Sequence, residues 1–117
     1  MRHHNSVRKF GRNRNQRKAL LKGLMLALIS HGKIETTEAK AKELRPFIEK
    51  MVTKANVGTL ASRRLVISRL YNLTAEANNL IDNIAPKYKN VSGGYTRITK
   101  LPRRGGDASK MAIIEFI

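Results

Sequence analysis

Between residues 16 and 30 the apolar side chains of Ala19, Leu20, Leu21, Leu24, Met25, Leu26, Ala27, Leu28 and Ile29 fill more than half of a helical circumference. An arc that wide is not covered by one neighbouring element, so this helix predicts a core built around it. Asn13 is a favoured N-cap residue, and with Gln16 three positions on it resembles a capping box; the helix therefore starts after Asn13 or Asn15. His31 and Gly32 supply its stop, because glycine enters the left-handed conformation at little cost.

The remaining chain supplies the partners. Residues 33–36 read as a short extended piece anchored by Ile34, and Thr36 or Thr37 caps a second helix that carries Glu38 in its first turn. Leu44, Phe47, Ile48, Met51, Val52 and Ala55 recur at three- and four-residue spacing, an amphipathic face reaching Asn56. Pro46 falls inside it and cannot donate to the carbonyl of Lys42, which predicts a kink or a restart there. Gly58 pivots a turn and Thr59 caps a third helix to about Leu70, with Leu65, Val66 and Leu70 inward. Thr74 caps a fourth, with Ala77, Leu80, Ile81 and Ile84 as its stripe, Asn78, Asn79 and Asn83 on its polar face and Pro86 as its end. Residues 87–94 read as a basic loop. Residues 95–101 and 110–117 are rich in β-branched and aromatic residues, as strands are, and the last is apolar enough to be covered on both faces or paired centrally. The expectation is an α+β fold of two layers in the order α-β-α-α-α-β-β, a small mixed three-stranded sheet packed on helices, with a basic N-terminal arm.

Charge divides the chain differently. The 117 residues hold 24 Lys and Arg against 8 Asp and Glu, and fifteen of the sixteen net charges fall in two acid-free blocks, residues 1–34 and 83–106. A charge of that size repels itself in the free chain and is best explained by a polyanionic partner. Within residues 1–18 stand Arg2, Arg8, Lys9, Arg12, Arg14, Arg17 and Lys18, interleaved with Asn, Gln, His and Ser and with only Val7 and Phe10 as sizeable hydrophobes beyond Met1. Such a segment cannot bury enough apolar surface to offset its ordering entropy, so residues 1–15 read as an arm that RNA or DNA would order, and residues 16–117 as one globular domain. Cysteine is absent, which removes disulfides and thiolate metal sites and fits a reducing compartment.

Other functional classes fit less well. A secretory signal or mitochondrial presequence is only loosely matched, since Lys22 interrupts the apolar run, the run is too short to span a bilayer, and no small-residue cleavage site follows Ile29. A basic helix lying on a membrane would carry a narrower apolar arc. A magnesium nuclease needs clustered carboxylates, yet Glu35 and Glu38 are the only pair of note, and helix capping or an ion pair of Glu38 with Lys42 explains them better. His3, His4 and His31 lack the spacing of zinc ligands, and no glycine motif has the strand-then-helix setting that nucleotide phosphates require. A histone-like DNA-compacting protein remains open on charge alone; such proteins usually act as dimers on repeated duplex.

Three motifs carry a resemblance. Met1-Arg2-His3 with Ser6, Arg8-Lys9 and Gly11-Arg12, then GKIETTEAKAKELRP at residues 32–46, then GGYTRITKLPRRGGDASKMAIIE at residues 93–115, stand in the order and at the chain length of one family. The chain resembles ribosomal protein seventeen of the bacterial large subunit, the bacterial-type L17 family. The resemblance implies a non-enzymatic structural protein in the cytoplasm. It would bind large-subunit ribosomal RNA near the mouth of the polypeptide exit tunnel, beside neighbouring large-subunit proteins, with no cofactor, metal, membrane or small-molecule substrate. Where many relatives carry Arg, Lys and Gly at positions 4, 5 and 7, this chain has His4, Asn5 and Val7, so the carry-over rests on Arg2, His3, Arg8, Lys9 and Arg12.

Residue chemistry supplies the expected RNA contacts. Arginine offers a planar fork that matches phosphate oxygens and stacks on bases, whereas lysine acts as a point charge. The arm and helix start contribute Arg2, His3, Arg8, Lys9, Arg12, Arg14, Arg17 and Lys18; the second block contributes Lys87, Lys89, Arg97, Lys100, Arg103 and Arg104. His3, His4, Phe10 and Tyr95 are candidates to stack on unpaired bases, Phe10 being equally suited to pack on the first helix. Arg63, Arg64 and Arg69 are weaker candidates, because helix faces often carry solvated arginines. Gly93-Gly94 and Gly105-Gly106 read chiefly as turns.

Overall fold

Asn13 caps the first helix reciprocally: its side chain accepts from the Gln16 amide at 2.9 Å, while the Gln16 side chain accepts from the Asn13 amide at 3.2 Å. In this computed structural model residues 13–117 are described; the arm candidates Arg2, His3, His4, Arg8, Lys9, Phe10 and Arg12 lie outside the described residues. Helix α1 spans Arg14–His31 and ends at Gly32, whose φ of 80° lets its amide return to the Leu28 carbonyl. Strand β1 (Lys33–Thr37) follows, and Thr37 caps α2 (Glu38–Asn56) by accepting from the Lys40 amide.

Helix α2 continues through Pro46 as one element rather than restarting there. A single missing N–H is outweighed by the buried stripe of Ala41, Leu44, Ile48, Met51, Val52 and Ala55 that runs past it on both sides. Phe47 is not part of that stripe: it is 48% exposed. Thr59 caps α3 (Leu60–Arg69), which buries Val66 and passes into buried Leu70, while Leu65 stays 39% exposed, contrary to its expected inward position.

Helix α4 (Thr74–Asn79) differs from expectation at both ends. Leu73 holds the N-cap position without a side-chain cap, and the Thr74 hydroxyl donates to the Asn72 carbonyl instead. At the other end the helical path does not stop at Pro86. It widens into a π turn (Leu80–Ile84) and tightens into a 3₁₀ turn (Ala85–Tyr88), where Pro86 sits in the first turn and needs no donor. Lys87 therefore belongs to a helical turn rather than to a loop.

Strands β2 (Thr96–Leu101) and β3 (Met111–Phe116) close the fold. The sheet order is β1-β3-β2 and both pairings are antiparallel, so the sheet is not mixed. Strand β3 enters between two strands that both run against it. As the continuous apolar run of β3 predicts, it takes the central position, but only one face is covered. Ile34, Ile114 and Ile98 align across the helix-facing side, whereas Lys33, Glu115 and Arg97 form a charged row on the other. Helix α2 lies on the covered face, with the Glu38 amide donating to the Lys110 carbonyl at 2.8 Å.

The core joins Leu28, Leu44, Ile48, Val52, Val66, Leu70, Leu80 and Ile114, all fully buried. Each large aliphatic side chain buried in this way contributes about 1.5–3 kcal/mol. Of α1, only Met25, Leu28 and Ile29 are buried, so its C-terminal half enters the core and its N-terminal half projects along α2. The wide apolar arc is thus only half covered.

Candidate nucleic-acid interface

Three groups of sequence-predicted cations lie on this body. Arg14, Arg17 and Lys18 occupy the first turns of α1, whose first turn holds no acidic residue. The amino end of a helix carries partial positive charge, so cations here oppose the dipole and cost stability in the isolated chain. Only an anion at the same place reverses that sign.

The second group is Lys87 and Lys89, both exposed on either side of buried Tyr88. Tyr88 donates its hydroxyl to the Ile117 carbonyl at 2.6 Å and packs its ring against Tyr95 at 5.3 Å, which fixes the turn and leaves both ammonium groups facing solvent. Burial holds the Tyr88 phenol above its ordinary pKa, so the donor stays protonated at neutral pH.

The third group is the β2–β3 hairpin, and here the fold redistributes charge that looks uncompensated in the sequence. Arg97 donates to Glu115 from Nε at 3.0 Å and Nη2 at 2.8 Å across the strand pair. Lys100, on the helix-facing side, approaches Glu38 at 3.7 Å. Arg104 grips Asp107 through both nitrogens, Nη2 to Oδ2 at 2.6 Å, and Asp107 in turn accepts from the Ser109 amide. The Arg104 guanidinium, followed by the Ser109 bonds, holds the Asp107 carboxyl far below the usual carboxylate range. Lys42 and Lys100 lower Glu38 in the same direction. Arg104 is therefore first a staple of the hairpin tip, while neighbouring exposed Arg103 makes only a long 3.4 Å bond to the Ala108 carbonyl. Arg97 and Lys100 lie on opposite faces of the sheet and do not form one patch.

Three further expectations change. Tyr95 is 3% exposed, bonded through its hydroxyl to Thr53 and to the Val91 carbonyl, so it is a core residue and no stacking platform. Arg63 is a tether: it reaches Asn78 at 2.9 Å and Asp82 at 2.8 Å, tying α3 to the helical segment after it. Asn79 likewise leaves the polar face to donate to the Ile29 carbonyl at 3.1 Å.

A groove that no linear motif announced runs between α1, α2 and the end of α3. Arg17, Lys18, Leu21, Lys22, Met25, Glu43, Phe47, Arg69 and Tyr71 line one half, and Phe47, Lys50, Met51, Lys54 and Arg69 continue it. A signal was present in the spacing of Glu43, Phe47, Lys50 and Lys54, which form a helical stripe one position off the buried one. Which of them meet α1 and α3 depends on packing.

The sequence profile of ribosomal protein L17 matches residues 20–117. The chain belongs to the ribosomal protein L17 family. A large ribosomal subunit protein bL17 from Persephonella marina (strain DSM 14350 / EX-H1) is 55% identical over 118 aligned residues, covering all of this chain and 95% of that protein. The bL17 of Helicobacter pylori (strain Shi470) is 52% identical with both chains fully covered, and that of Campylobacter jejuni subsp. doylei is 50% identical over all of this chain and 99% of its own length. As a member of the L17 family the chain is a structural, non-enzymatic component of the large ribosomal subunit. No described helix is long and apolar enough to cross a membrane.

Proposed function

We propose that this L17-family chain binds and stabilises folded large-subunit ribosomal RNA near the mouth of the polypeptide exit tunnel, among neighbouring large-subunit proteins. The observation that carries the reading is the set Arg14, Arg17 and Lys18 at the positive end of α1 with no acid in its first turn. That arrangement is unfavourable for the free helix and becomes favourable against phosphate. Lys87, Lys89 and Arg103 add exposed cations elsewhere on the body. Residues 1–12, with Arg2, His3, Arg8, Lys9 and Arg12, thread between RNA segments and gain order as phosphates neutralise them. Arg97, Lys100 and Arg104 contribute more weakly, because each already faces a carboxylate.

Sedimentation of the tagged full chain from a bacterial lysate, in salt high enough to strip loosely held basic proteins, tests the reading. The full chain is expected to travel with large subunits through the wash. A deletion of residues 1–12, which leaves the Asn13 cap intact, is expected to be lost at lower salt. A full chain that stays at the top of the gradient, or follows chromosomal DNA, would overturn the assignment.

A further inference from the structure

Phe47 and Tyr71 are 48% and 51% exposed, and both open into the groove between α1, α2 and α3. Single exposed aromatics need no explanation, but two in one groove of about 340 Å³ rimmed with cations do. Lys22 stands 4.2 Å above the Tyr71 ring, bringing an ammonium group to the aromatic wall. Lys50, Lys54 and Arg69 continue the rim beyond Phe47, and among the described residues no acid lines that half. In the other half Glu43 is the one acid among the described lining residues.

The backbone adds an independent observation. Tyr71 and Asn72 are consecutive non-glycine residues in the left-handed region, with φ of 56° and 62°. That conformation is strained for a residue with a side chain, and the turn persists because the Ser68 and Ile67 carbonyls accept the two amides at 3.0 and 2.9 Å. An ordinary helix end needs one such residue, commonly glycine. Here a second, and a tyrosine, is held so that its ring faces the groove.

We infer that this groove receives an unpaired nucleotide of the ribosomal RNA, its base stacked on Phe47 beside the Lys22–Tyr71 wall and its flanking phosphates held by Lys50, Lys54 and Arg69. The inference rests on the RNA-binding reading above and adds Lys22, Phe47, Lys50, Lys54 and Tyr71 to the sequence-predicted Arg17, Lys18 and Arg69 that share this groove. A polyanion suits the rim, and a flat π face suits an exposed Phe; a base with its phosphates offers both. Duplex RNA would offer only the charge.

The test uses the full chain, protein-free large-subunit ribosomal RNA and filter binding across a salt series. Phe47→Leu with Tyr71→Leu keeps apolar bulk at two exposed positions, and circular dichroism checks that the helices remain. Loss of stacking is expected to weaken binding by about 5- to 150-fold while the slope of log affinity against log salt is unchanged. Lys50→Gln with Lys54→Gln is expected to lower that slope by about 1.4–1.8. Ultraviolet cross-linking of the wild-type complex is expected to leave a nucleotide on a peptide containing Phe47 or Tyr71. Unchanged RNA affinity of the folded Leu variant, with tight wild-type binding, overturns the groove assignment alone; if that variant is then poorly retained in assembled subunits, a protein neighbour is the occupant. Failure of the wild-type chain to bind the RNA overturns the reading beneath it as well.

Discussion

Glu49 is the hinge pin between the helical layer and the strand that carries Arg97 and Lys100. Its carboxylate accepts from Arg45 Nε at 3.2 Å, from the Gly94 amide at 3.1 Å and from the Thr96 hydroxyl at 3.0 Å. Replacing Glu49 with Ala removes the acceptor of all three bonds, but the donors lose unequally. The Arg45 side chain is 45% exposed and Gly94 is exposed, so water takes over and each bond costs about 0.5–1 kcal/mol. Thr96 is 1% exposed, and its hydroxyl is left without that acceptor at a cost of about 1–3 kcal/mol. The expected total is about 2–5 kcal/mol, read by urea denaturation as a lower midpoint with unchanged m-value. Adding Thr96→Val removes the stranded hydroxyl and suits a strand, so the double variant is expected to recover about 1–2 kcal/mol. The reasoning is refuted if Glu49→Ala costs under about 0.5 kcal/mol, or if the valine deepens the loss instead of relieving it.

Gly32→Ala is expected to cost about 1–2 kcal/mol in the same assay, since φ is 80° and a Cβ would meet nothing within 4 Å, making the penalty one of backbone alone; Gly32→Asn should recover part of it. Tyr88 has its pKa raised above 10.0 by burial, so the unfolded chain ionises first as pH climbs; stability is expected to fall above about pH 10, and denaturation of Tyr88→Phe should show less of that fall. The same variant loses the 2.6 Å bond to the Ile117 carbonyl and should be about 1 kcal/mol less stable at neutral pH. Lys87→Gln with Lys89→Gln leaves folding unaltered, and is expected to lower the salt slope of ribosomal RNA binding by about 1.4–1.8.

Much of this protein follows from local chemistry and was legible in the chain. Asn13, Gln16, Gly32, Thr37 and Thr59 mark helix ends because a cap is a bargain struck among residues three or four positions apart. The apolar run of β3 announced a central strand for the same reason: each side chain's period along one element decides what that element can bury. The three separated motifs likewise sufficed for the family.

What only the tertiary structure decided concerns which distant residues meet. Pro46 could have ended α2, and continuous burial on either side overrode it. The basic block at residues 83–106 looked uncompensated, yet Glu38, Glu115 and Asp107 reach Lys100, Arg97 and Arg104 from outside it. Tyr95 carried the composition of a stacking residue and went to the core; Phe47 carried the spacing of a core residue and went to the surface. For these two rings the local signal was degenerate, because an aromatic side chain serves core and nucleobase alike. The choice fell to packing between elements far apart in sequence.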